Sequence, residues 1–191
     1  DRAVLSLRQV MVLGIGVLSL TACTGEVMQS QVDRPGVKTY FAQGASPGEM
    51  LTVVAGNPFS VPKAQLEQAV TEAMQGNHRG PRTRFSTQPG PEARKNHRIV
   101  MAFNTPKSFD FDNLCGSAAD IPSEPAGGKL TLSAGYCVDD TLYSHAKVSI
   151  PQPASPDDPS FQHMVASAMW ELVPSTDPFD DDDSSCVLPN C

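Results

Sequence analysis

The chain has 191 residues, of which 18% are charged and 6% aromatic, with 17 Pro, 14 Gly and 5 Cys. That length suits one folded unit of ordinary size, and the composition excludes collagen, a coiled coil and a polytopic membrane protein. A formal net charge of −7 excludes a general nucleic-acid binder, which needs clustered Lys and Arg to displace counterions from phosphates.

Residues 1–22 read as a secretory signal. Arg2 and Arg8 precede an apolar run from Val10 to Leu18, shorter than the roughly 20 apolar residues that cross a bilayer and suited to a signal core. The segment closes on Leu20-Thr21-Ala22-Cys23, which resembles the lipobox of bacterial lipoproteins, where small residues precede a cysteine that becomes the lipidated first residue. An ordinary secretory signal, or a short anchor that is never cleaved, is the competing reading. The resemblance implies that Cys23 carries acyl chains and that residues 23–191 are held in the cell envelope, facing the periplasm. Thr24 and Gly25, rather than Asp, follow Cys23; in lipoproteins of the enterobacterial type this implies the outer membrane.

Export makes disulfides the expected state of the remaining cysteines, Cys115, Cys137, Cys186 and Cys191. Four cysteines allow three pairings. Closure of local loops favours Cys115 with Cys137 and Cys186 with Cys191. No Cys-x-x-Cys spacing occurs, which removes a thioredoxin-like motif and weighs against a catalytic thiolate.

Residues 23–48 are polar and small, and predict a flexible tether in which Val37 to Phe41 is the one stretch apt to pack on the domain. A domain is expected over 49–174. Met50 to Ala55 is a β-branched run that predicts a strand. Leu66, Ala69, Val70, Ala73 and Met74 then recur at helical spacing, predicting a helix over about 61–75 with Pro62 in its first turn and Gly76 at its stop. Thr83 to Thr87 predicts a short strand, and Arg98 to Phe103 a central strand buried on both faces. Alternation over Leu130–Tyr136 and again over Leu142–Ile150, with Val138-Asp139-Asp140 between, predicts a hairpin. A second helix is expected from Asp158-Pro159 to Pro174, with Asp158 as cap and Phe161, Met164, Val165, Ala168 and Leu172 inward. Residues 175–191, containing four consecutive Asp at 180–183, form an acidic tail. The order implies an α+β domain: an antiparallel sheet of about four or five strands with two helices packed on it.

No catalytic, metal or cofactor site is legible. His78, His97, His145 and His163 stand apart, and the tetra-Asp run lacks the spaced ligands and glycine of an EF-hand loop. Ser60-x-x-Lys63 and Ser144-x-x-Lys147 match the pattern of penicillin-recognising enzymes, but its companion elements are absent. One charge asymmetry stands out. Arg79, Arg82, Arg84, Arg94, Lys95 and Arg98 face only Glu92 in their window, whereas removing Arg2, Arg8 and Asp1 from the 14 basic and 21 acidic residues leaves a net charge of −8. Converging on one face, these cations would bind lipid phosphates, an anionic polysaccharide or an acidic partner. Spread along a loop and strand edge, they would only discourage edge pairing.

The stretch Val53-Val54-Ala55-Gly56-Asn57-Pro58-Phe59, the helix after it, Thr83-Arg84-Phe85, the strand at Arg98 and Leu114-Cys115-Gly116 resemble small lipoproteins of Gram-negative envelopes. That resemblance implies compartment and fold but no chemistry. The expectation is a lipid-anchored envelope protein acting as a binding or accessory structural module, attached to the membrane through its N-terminal lipid and contacting an envelope protein or anionic component. The alternative is a hydrolase or transferase acting on cell-wall or lipid material.

Overall fold

A computed structural model describes residues 27–125, 127–176 and 178–179. Cys23, Cys186, Cys191 and the acidic run at 180–183 lie outside the described residues, as does the predicted signal. The described chain forms a single α+β unit with six strands: β1 (Val27–Val32), β2 (Glu49–Ala55), β3 (Arg84–Ser86), β4 (His97–Phe103), β5 (Lys129–Val138) and β6 (Thr141–Pro151). Three helices accompany them: α1 (Val37–Ala45), α2 (Lys63–Met74) and α3 (Pro159–Leu172). Spatial order is β1-β6-β5-β4-β2-β3. The sheet is mixed, since β2 runs parallel to both β3 and β4 while the remaining pairs are antiparallel. The expected smaller antiparallel sheet is corrected on this point: β2 returns through α2 before meeting its neighbours, and such a crossover connection yields parallel pairing.

The expected tether is also corrected. Residues 27–45 belong to the fold, because β1 pairs along its whole length with β6, from Val27 opposite Ser149 to Val32 opposite Ser144. In α1, Val37, Phe41 and Ala45 recur every four residues and are buried, so one stripe of this otherwise polar helix meets the sheet. The Phe41 ring meets the Tyr136 ring edge-on at 5.4 Å. Gly44 permits close approach, for a Cβ there would stand 2.8 Å from the His97 ring.

All three helices cover one face. Ile99, Met101 and Phe103 of β4, Leu130, Leu132, Ala134 and Tyr136 of β5, and Ala146, Val148 and Ile150 of β6 point into that layer. Opposite parity in β4 sends Val100 and Ala102 into a second cluster with Leu114, Cys115, Ile121, Cys137 and Leu142. Strand β4 is thus buried on both faces, which is why it reads as a continuous apolar run. The segment after β4, with 3-10 turns at Phe111–Cys115 and Ala118–Asp120, supplies Leu114, Cys115 and Ile121 to this second layer. Cys115 and Cys137 are joined by a disulfide with Cα atoms 5.6 Å apart, fastening the segment to β5. In the hairpin, Tyr136 pairs with Ser144 and Cys137 with Leu142, leaving Tyr143 as the extra residue of a bulge. Leu142 therefore faces the disulfide layer while Ser144 faces the helices and donates to the Leu172 carbonyl at 2.6 Å. Asp158 caps α3 by accepting from the Ser160 N–H at 2.9 Å, as its position before Pro159 suggests.

Candidate functional site: a polar cleft on the open half of the sheet

The second layer meets β6 at Leu142 and, through Phe111, at His145, and gives way further along that strand. Where it ends, the sheet shows a polar surface, because residues alternating with Ala146, Val148 and Ile150 are His145, Lys147 and Ser149. A half-open cleft of about 580 Å³ lies there. Its floor is built from Lys129 and Thr131 of β5, Lys147 and Ser149 of β6, and Gln29 of β1; its wall comes from Asn104, Thr105 and Lys107 after β4 and from Glu124, Pro125 and Gly127. Three ammonium groups face one carboxylate, a formal surplus of +2 in a chain that is net acidic.

Asn104 sets the geometry. It sits in the left-handed region at φ 53°, which asparagine tolerates better than most residues. Its N–H donates to the Thr131 carbonyl at 2.8 Å, its Oδ1 accepts from the Thr131 N–H at 3.1 Å, and its carbonyl accepts from the Glu124 N–H at 2.7 Å. One residue thereby ends β4, extends the pairing to β5 and ties down the far wall. Thr105 and Ser133 hydroxyls are bonded at 2.8 Å below the rim. Beside the cleft the Phe111 ring is stacked on His145 with centroids 4.1 Å apart, and the Lys147 ammonium stands 5.8 Å from its centre.

The structure gives the six cations of the basic window differing partners. Arg79 lies over the Trp170 ring, 4.5 Å from its centroid, and donates to the Trp170 carbonyl at 3.1 Å. Arg84 is bound to Glu49, with Nε 3.0 Å from Oε1. Glu49 also accepts the Gly90 N–H at 2.6 Å, and this bond, followed by Arg84, holds its carboxyl below the ordinary glutamate range. Arg98 donates to the Cys115 carbonyl and stands 3.5 Å from Asp140. Arg94 and Lys95 share a small cavity of about 280 Å³ with Leu51, Pro89 and Pro91, and Arg82 is exposed. Three of the six are thus occupied within the fold, on α3, β2 and the disulfide segment respectively.

Two histidines have partners of the kind an enzyme uses. His145 Nδ1 lies 2.8 Å from the Asp33 carboxylate, beneath Phe111. His97 Nδ1 lies 2.7 Å from the Tyr136 hydroxyl; burial lowers the His97 pKa, helped by nearby Arg94, and burial raises that of Tyr136. Among the described residues neither imidazole is joined to both a carboxylate and a hydroxyl, and no group of three or more His, Cys, Asp or Glu side chains is placed to hold a metal.

Sequence reasoning missed the cleft, because Lys107, Lys129 and Lys147 are far apart in the chain and only the sheet register brings them together. No protein-family model matches the chain, and no curated protein matches it significantly. Solved structures that it resembles include two PelC dodecamers from Paraburkholderia phytofirmans, one of them a point variant. Both are 10% identical to it over 80% of this chain and 100% of that chain, with TM-scores of 0.42 and 0.43. A likeness this slight fixes neither family nor function.

Proposed function

We propose that this is a lipid-anchored protein of the bacterial cell envelope, most consistent with the outer membrane, that acts as a binding or accessory module. The anchor reading rests on Leu20-Thr21-Ala22-Cys23 following a short apolar run. The observation that carries the binding reading is the cleft: a concave polar surface on which three ammonium groups outnumber one carboxylate. Its contact partner is anionic. A photo-reactive residue placed at Lys129 in cells should capture an envelope neighbour, and one at Glu67 on the outer side of α2 should not. Equal capture from both positions would contradict the cleft as contact face.

A hydrolase or transferase is the second reading, favoured by the His145 and Asp33 pair. It predicts that His145→Ala abolishes function in cells while the protein stays folded. The binding reading predicts that Lys129→Gln is the more damaging change.

A further inference from the structure

We infer that the lysine cleft is a seat for the phosphates of anionic phospholipid headgroups, pressed against them by the anchor itself; this rests on the lipidation of Cys23 proposed above. Only three residues, Thr24 to Glu26, separate Cys23 from Val27, where β1 begins. Whatever their conformation, that length of chain reaches at most about 14 Å. With residues 27–45 in the fold, an anchor at Cys23 gives the domain a leash far shorter than the 23–48 segment suggests by composition.

The start of β1 is also where the cleft lies. Val27 pairs with Ser149 and Gln29 with Lys147, while Ser149 pairs on its other side with Thr131. With strands about 4.8 Å apart, the cleft floor begins within roughly 10 Å of the first residue of β1. A bilayer holding Cys23 therefore lies beside Lys129 and Lys147.

The chemistry of the cleft fits that neighbour. An ammonium group is a compact charge that meets a single phosphate oxygen without the fork geometry of arginine. Thr131 and Ser149 hydroxyls, 3.4 Å apart, supply short donors between the cations. No aromatic side chain is among the described residues that line the cleft, and the neighbouring Phe111 ring is already stacked on His145, which leaves little to stack against a base or a sugar ring. Glu124 on the outer wall keeps the site from being uniformly positive.

The test uses the full chain with its natural anchor, reconstituted into vesicles of phosphatidylcholine alone or mixed with phosphatidylglycerol. Lysine acylation is then read residue by residue by mass spectrometry. An attraction worth about a factor of five per lysine near an anionic surface predicts that Lys107, Lys129 and Lys147 become roughly fivefold less reactive on phosphatidylglycerol vesicles. High salt should reverse the protection, and Lys63 on α2 should not change. Equal reactivity on the two vesicle types would overturn the inference. So would equal protection on phosphatidylcholine by inorganic phosphate, which would make free phosphate the ligand, or by a uronic-acid oligosaccharide, which would make it a glycan. Flotation separates the two readings: protein that fails to float removes the anchor, whereas protein that floats without protected lysines removes only the headgroup seat.

Discussion

Opening the Cys115–Cys137 bridge should loosen the layer that walls the cleft. The bridge spans a sequence separation of 22 residues, and both cysteines are fully buried. In the chain-entropy account, closing a loop of that length removes enough freedom from the unfolded chain to stabilise the fold by about 3 kcal/mol at 25 °C. For a domain of this size the loss corresponds to a fall in Tm of roughly 10 °C. The perturbation is Cys115→Ala combined with Cys137→Ala, measured beside the dithiothreitol-reduced wild-type chain. Urea unfolding followed by circular dichroism should show a lower midpoint and a steeper dependence on urea, because an uncrosslinked unfolded chain exposes more surface. Reduced wild type and double variant should move together if the crosslink dominates. A change below about 1 kcal/mol in both would refute the reasoning, since it would mean that the segment is held by Leu114, Ile121 and the Arg98 bond to the Cys115 carbonyl rather than by the bridge.

Gly44→Ala should destabilise the protein by roughly 1–3 kcal/mol through overpacking against the His97 ring; thermal melts showing the usual helix gain for Ala would contradict the docking of α1. Glu49 contributes through its depressed pKa, so its stabilisation is present above the pKa of an unfolded glutamate and is lost as pH falls through the lower folded value. Glu49→Gln should therefore flatten the acid limb of stability against pH, and an unchanged limb would show that Arg84 and Gly90 do not hold the carboxylate. Asn104→Ala should lower stability by about 1–3 kcal/mol, because it leaves the Thr131 N–H without its acceptor; amide exchange at Thr131 should rise, and unaltered protection there would refute Asn104 as the post of the cleft.

The legible parts of the fold were those whose periodicity is local. Leu66, Val70 and Met74 announce α2, the cap at Asp158 announces α3, and alternation in β5 and β6 announces the hairpin. Strand β1 was hidden because as an edge strand it packs Met28 and Val32 against the core with the polar Gln29, Ser30 and Gln31 between them. Helix α1 was hidden for a related reason: its buried stripe is only Val37, Phe41, Gly44 and Ala45 in a polar surround. Parallel pairing of β2 with β4 is a long-range property that no local pattern encodes. The site shows the same division. Of the cations crowded between positions 79 and 98, three are taken up by the fold itself: Arg79 turns to α3, Arg84 to Glu49 and Arg98 to the Cys115 carbonyl. Lysines scattered between 107 and 147 meet because the hairpin and Asn104 align their strands.

The measurement that bears most directly on the account is the mass of the N-terminal peptide of the protein purified from its own cells. The account predicts a chain beginning at Cys23 with acyl chains on that residue. A peptide that runs unbroken from residue 22 into 23, or an unmodified Cys23, would contradict it and remove the bilayer from beside the cleft.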